Sequence, residues 1–122
     1  MFSVIFPGQG SQLVGMGKDL HDKYSLVQHL FKEADDTLGF SLSSLILDGP
    51  KEDLDLTENT QPAIFLLSYS IFKLIKEEFN IDLNKANFFT LTVIYLRRFL
   101  SMISFFSNSS IIFPEPLILK CI

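Results

Sequence analysis

The residues best placed to do chemistry form one run, Phe6-Pro7-Gly8-Gln9-Gly10-Ser11-Gln12, with Val14-Gly15-Met16-Gly17 close behind. Gly8 and Gly10 lack a Cβ, so the backbone there can take positive φ and bring its N–H groups close to an anion or a carbonyl oxygen. Gln9 is then a candidate donor. The same residues also fit a plain strand-turn-helix corner, and their types alone do not choose between the two. Other reactive residue types carry less. His21 and His29 belong to no metal motif, since Lys32 and Glu33 at i+3 and i+4 from His29 are not arranged as one, and both read as packing or solvent-facing side chains; no metal site is assigned. Cys121 is the single cysteine, which excludes an internal disulfide, and without a neighbouring histidine it reads as a buried or frayed C-terminal residue.

The elements that must hold the glycine run are legible on either side of it. Phe2-Ser3-Val4-Ile5-Phe6 is short, apolar and mostly β-branched or aromatic, which predicts a buried strand emptying into the loop. A short helix over Asp19 to Tyr24 follows, its N-terminal end delivered by Gly15 and Gly17, where unpaired N–H groups suit an acyl oxygen or a phosphate. Residues 25–38 predict a second helix. Ser25 can cap it, Leu26, Leu30, Ala34 and Leu38 fall four apart, Val27 and Phe31 widen the stripe, and Gly39 ends it. Ser41 is the expected cap of a short third helix through Ile46, closed by Asp48-Gly49-Pro50. Lys51-Glu52-Asp53-Leu54-Asp55-Leu56 reads as a solvated linker. The longest helix then starts at Asn59 or Thr60 with Pro62 in its first turn, and places Ile64, Leu67, Ser68, Ile71, Leu74, Ile75 and Phe79 on one face. After a polar turn, Ala86-Asn87-Phe88-Phe89 begins a central strand.

Composition narrows the class. A chain of 122 residues has room for one modest domain, and a net charge of −4 supplies no basic stripe for nucleic acid. The start of the chain has no basic n-region and runs straight into the glycine loop, so a cytoplasmic setting is expected. All six glycines lie at or before Gly49, whereas the segment from Phe88 onward holds six phenylalanines and a single acid, Glu115. That apolar segment is no membrane span, because Arg97 and Arg98 split it into pieces far shorter than the roughly 20 residues a bilayer requires.

Two further stretches stand in register with the glycine run: Glu33-Ala34-Asp35-Asp36-Thr37-Leu38-Gly39 and Thr57-Glu58-Asn59-Thr60-Gln61-Pro62-Ala63. In this order the three closely resemble the opening of malonyl-CoA:acyl carrier protein transacylases and of the related acyltransferase domains of polyketide synthases. The resemblance covers residues 1–89 and stops. It implies an α/β fold: an N-terminal fragment of an α/β-hydrolase-like acyltransferase domain, mostly helical with one or two strands, followed by an unrelated apolar tail over residues 90–122. In such enzymes a serine takes malonyl from coenzyme A and passes it to the phosphopantetheine thiol of acyl carrier protein, with no cofactor beyond the malonyl-CoA substrate. The resemblance assigns the Gln9 backbone N–H to the oxyanion hole, with Gly8 and Gly10 beside it, and Gln61 to the wall of the substrate pocket, simple capping being the other reading of Gln61.

The family's nucleophile elbow, Gly-His-Ser-x-Gly-Glu, should follow Phe89. Here the chain continues Thr90-Leu91-Thr92-Val93-Ile94-Tyr95-Leu96-Arg97-Arg98-Phe99, with neither the serine nor a glycine to build the strained turn. Ser101, Ser104, Ser107, Ser109 and Ser110 lack flanking glycines and a downstream histidine, so no nucleophile or base is assigned. Three expectations follow. The chain is an inactive fragment with a tail translated out of frame, poorly soluble because its strand and longest helix lack neighbouring strands; its start at Met1, without ketosynthase sequence before it, favours a discrete enzyme over a synthase domain; and a non-catalytic remnant that folds only partly, or a small binding module using its glycine loop, stands as the non-enzyme reading.

Overall fold

The structure is a computed structural model and describes residues 3–82 and 88–91. In chain order these form β1 (Ser3–Phe6), α1 (Lys18–Lys23), α2 (Ser25–Leu38), α3 (Leu42–Asp48), α4 (Lys51–Leu54), α5 (Thr57–Glu78) and β2 (Phe88–Leu91). The described part is mostly helical, as expected. β1 and β2 pair in parallel, Ser3 opposite Phe88 and Phe6 opposite Leu91, so all five helices lie within one crossover connection. β2 includes Thr90 and Leu91, the first two residues beyond the end of the resemblance. The expected cysteine and late-serine positions lie outside the described residues.

Strand β1 is buried on one face only. Val4 and Phe6 pack against the helical core, while Ile5 between them is 72% exposed. The alternation is that of a half-covered sheet, where a fully buried strand was expected. The core itself is built by α2, α3, α4 and α5. Val27, Leu30, Phe31 and Ala34 of α2 are buried against Leu42 and Ile46 of α3, Leu54 of α4 and Ala63, Phe65, Leu66, Tyr69 and Phe72 of α5. Of the four-apart series only Leu30 and Ala34 are buried, Leu26 and Leu38 being half-buried, and the flanking Val27 and Phe31 complete the buried face; Gly39 ends the helix at φ 74 with its N–H donated to the Asp35 carbonyl.

Several local expectations are corrected by tertiary contacts. Helix α1 runs one residue earlier than expected, from a Gly17 N-cap at φ 73, and α2 is capped by Tyr24 rather than Ser25, with no side-chain cap bond. Ser41 occupies the N-cap of α3, but its hydroxyl turns to the Asp35 carboxylate at 3.2 Å. Asp35 does the capping from α2, accepting the Ser43 N–H at 2.8 Å and the Ser43 hydroxyl at 2.5 Å. An ionised acceptor reaching an orphan helical N–H satisfies it better than a hydroxyl.

The acidic stretch expected as a linker folds into α4, because Leu54 can be buried completely while Lys51, Glu52 and Asp53 stay exposed. Helix α5 consequently starts early, at Thr57 after a Leu56 N-cap, and Pro62 is interior. Pro62 withholds an N–H from the Glu58 carbonyl one turn back, and Glu58 is exposed, so water can serve that carbonyl. The single apolar face expected for α5 is also revised. Ile64, Ser68 and Leu74 are buried, but Leu67, Ile71 and Ile75 are half-buried, Phe79 is 58% exposed, and burial extends to Phe65, Leu66, Tyr69 and Phe72. With α2, α3 and α4 all packed on it, α5 is enclosed on more than one side, and a helix so enclosed shows no narrow stripe.

Candidate functional site

The loop between β1 and α1 uses most of its polar groups internally. Of the two glycines expected at positive φ, only Gly10 is there, at φ 102; Gly8 is not. The Gly8 carbonyl accepts from both the Ser11 N–H at 3.2 Å and the Ser11 hydroxyl at 2.7 Å, closing a tight turn. The Gly10 N–H donates to Gln12 Oε1 at 2.8 Å, so it does not face outward as an anion donor. Among the described residues no acceptor takes the N–H of Gly8 or of Gln9, and both belong to a loop open to solvent. The loop therefore offers the donor assigned to Gln9, without Gly10 as a second.

The side chains of this loop are tied to the start of α5. Gln9 Nε2 donates to Thr57 Oγ1 at 3.1 Å, and Gln9 Oε1 accepts from Gln61 Nε2 at 2.9 Å. Gln61 is only 3% exposed, so a buried helical amide grips the side chain of a residue 52 positions earlier. A second tie lies one turn away. Gln12 Nε2 donates to Asp55 Oδ1 at 2.9 Å, and Asp55 pairs with Lys51 across one turn of α4. The hydrogen bond from Lys51, then that from Gln12, holds the Asp55 carboxyl below the ordinary carboxylate range. At the far end of the loop the Gly15 N–H donates to the Ile46 carbonyl at 2.7 Å.

Sequence reasoning singled out Gly8, Gln9, Gly10 and Gln61, and the fold brings all four to one corner. It missed Thr57 and Asp55. Thr57 lies inside a quoted motif, but nothing local distinguishes Asp55 from Glu52 or Asp53, its neighbours in an acidic run. Helix α1 brings little to the site: it has six residues and a correspondingly short run of aligned peptide dipoles. His29 faces solvent and pairs with Glu33 at 3.2 Å, and the His21 ring packs on Phe31 with centroids 5.4 Å apart. Both positions suit packing and surface roles. A separate shallow cleft of about 410 Å³, lined by Phe40, Ser44, Leu45, Pro50, Leu56 and Asn59, includes no residue of the glycine loop. Among the described residues no helix is long and apolar enough to cross a membrane.

Chemically, the corner can hold a developing negative charge on a preset backbone donor. Bond making would need an attacking group and a proton acceptor beside it, and the described loop and α5 corner bring neither to the Gln9 N–H.

Comparison with known proteins places this corner in context. Residues 3–78 match the family model of the acyl transferase domain. The chain is 47% identical over 78 residues to the malonyl CoA-acyl carrier protein transacylase of Haemophilus influenzae, a match covering 64% of this chain and 25% of that protein. The crystal structure of an acyl-carrier-protein-S-malonyltransferase from Bartonella henselae superposes with a TM-score of 0.65 at 39% identity, covering 70% of this chain and 27% of that one. A malonyl-transacylase solved in complex with its type II PKS acyl-carrier protein gives a TM-score of 0.61 at 43% identity, over 63% of this chain and 25% of that one. The chain thus spans about a quarter of the length of the curated relatives it matches.

Proposed function

Because this chain belongs to the malonyl-CoA:acyl carrier protein transacylase family, through an acyl transferase domain match over residues 3–78, we propose that it carries the oxyanion-loop portion of that enzyme and does not turn over by itself. The parent reaction moves a malonyl group from malonyl-CoA to the phosphopantetheine thiol of acyl carrier protein, in a cytoplasmic setting and with no cofactor. In it, the Gln9 N–H donates to the oxyanion of the tetrahedral intermediate, Gly8 and Gly10 shape the turn that presents it, and Gln61 sets the Gln9 side chain beside the substrate pocket. The observation that carries this reading is the loop itself: the Gln9 side chain is pinned on both sides by Thr57 and Gln61 while its N–H is left to an incoming acceptor.

The parallel pairing of β1 with β2 supports an α/β-hydrolase-like parent, in which the nucleophile follows the strand equivalent to β2. Residues 1–89 form the acyltransferase part in this reading and residues 90–122 a divergent tail, since the elbow serine and its glycines are missing just where they are due. Charge stabilisation without nucleophile and base leaves no covalent step.

Incubating the purified chain with radiolabelled malonyl-CoA and acyl carrier protein tests the proposal. No acid-stable adduct and no labelled carrier protein are expected; label on the chain, lost on replacing Ser101 or another late serine, would overturn it. Reading the coding DNA in the other two frames past codon 89 should reveal Gly-His-Ser-x-Gly-Glu. A fragment of a polyketide synthase acyltransferase domain is the related second reading, and ketosynthase-coding DNA directly upstream would select it.

A further inference from the structure

We propose that Gln12 and Asp55 are positioning residues that hold the Gly8-Gln9-Gly10 backbone in the conformation presenting the Gln9 N–H, an inference that rests on the acyl-transfer reading above. A Gly-Gln-Gly segment has no intrinsic preference for one backbone state, and the Gly10 value of φ 102, with open space around its missing Cβ, is not enforced by any steric contact. Something outside the segment must select it.

The selecting contact is the hydrogen bond from the Gly10 N–H to Gln12 Oε1 at 2.8 Å. The Gly10 N–H can only donate, so it takes the Gln12 amide oxygen and leaves the Gln12 NH2 in need of an acceptor that holds the amide in place. Asp55 supplies it. An ionised carboxylate only accepts, so the Gln12 NH2 must face Asp55 Oδ1, at 2.9 Å, and Oε1 must face the Gly10 N–H. Donating to a charged acceptor also polarises the amide and strengthens the bond that its oxygen accepts. Lys51, four residues before Asp55, fixes the carboxylate and helps keep it ionised.

The anchor is firm enough for the purpose. Asp55 lies between Leu54, which is fully buried, and Leu56, the N-cap of α5, so its backbone is tied to the core. Together with the grip of Thr57 and Gln61 on the Gln9 side chain and of Ser11 on the Gly8 carbonyl, the relay leaves the Gln9 N–H flanked by groups that are already held. A donor preset in this way needs no reorganisation when charge develops.

Amide exchange in the 15N-labelled full chain tests the relay. Gln12→Ala is expected to speed exchange at Gly10 by about fivefold, as suits loss of a hydrogen bond worth about 1 kcal/mol. Asp55→Asn, which can donate as well as accept and lets the Gln12 amide turn over, should give a smaller rise and shift the Gly10 amide proton upfield. Asp55→Glu, again acceptor-only, should restore both. Protection of α5 amides should be unchanged in all three. The proposal is overturned if Gly10 exchange in Gln12→Ala or in Asp55→Asn equals that of the unaltered chain, if Asp55→Glu behaves as Asp55→Asn, or if α5 protection collapses, which would make the residues structural. The readout involves no thioester, so malonyl transfer by the isolated chain would refute the functional reading and leave this result standing.

Discussion

Replacing Gly17 by alanine probes the junction between the candidate loop and the helical core, and Gly39 supplies its control. The two glycines have nearly the same backbone, φ 73 and φ 74, so a β-carbon meets the same left-handed strain at each. Their surroundings differ. A Cβ at Gly17 would lie 2.4 Å from Leu67 Cδ1, whereas one at Gly39 would meet nothing within 4 Å. Left-handed strain costs about 1 to 2 kcal/mol in both variants. At Gly17 the half-buried Leu67 must also swing its terminal Cδ1 aside, adding about 0.5 to 1.5 kcal/mol, the cost of a side chain pushed off its rotamer. Gly39→Ala is therefore expected to destabilise by about 1 to 2 kcal/mol and Gly17→Ala by about 1.5 to 3.5 kcal/mol. Adding Leu67→Ala should remove the excess, a favourable coupling of about 0.5 to 1.5 kcal/mol in a double-mutant cycle. Native-state hydrogen exchange of α2 and α5 amides reads these differences without requiring a single cooperative melt. Equal costs at the two glycines, or an excess at Gly17 that survives Leu67→Ala, would refute the packing argument.

Two further outcomes are expected from α5. Thr60 is fully buried and its hydroxyl donates to the Leu54 carbonyl at 2.5 Å, joining α4 to α5, so the nearly isosteric Thr60→Val should cost about 1 to 3 kcal/mol while Thr60→Ser retains the bond; α5 amide protection distinguishes them. Tyr69, 3% exposed, has its phenol pushed up to about 12 by burial first and then by Glu33 and Glu77. Because the folded phenol keeps its proton to a higher pH than the unfolded one, its contribution is complete below about pH 10 and is lost as pH rises towards 12, roughly 2 to 3 kcal/mol in all. Comparing Tyr69→Phe with the unaltered chain over that window isolates the effect, and a Tyr69→Phe chain with the same alkaline slope would contradict it.

Much of the local architecture could be read from neighbouring residues. The apolar spacing from Leu26 to Leu38 places the stripe of α2, whose middle residues Val27, Leu30, Phe31 and Ala34 are buried and whose ends are half-buried, and Gly39 stops the helix, because helical periodicity and left-handed backbone are properties of a few consecutive residues. Family membership was equally legible, in three motifs that need no fold to be recognised. Burial of Leu54, by contrast, is a tertiary event that turned an acidic run into α4 and moved the start of α5 back to Thr57. The cap of α3 came from Asp35 on another helix rather than from the adjacent Ser41, for a similar reason: a carboxylate brought close by packing outcompetes a local hydroxyl.

At the candidate site the division is sharper. The amino-acid sequence by itself determined which loop holds the donors and that neither glycine nor serine follows where the nucleophile is due. Only the tertiary structure decided which donors stay available: Asp55 holds the Gln12 amide that takes the Gly10 N–H two residues away, and Thr57 and Gln61 seat Gln9 between them. A residue's type fixes what it can donate or accept, whereas whether that capacity is already used depends on groups 43 to 52 positions away, whose arrival is set by how α4 and α5 pack.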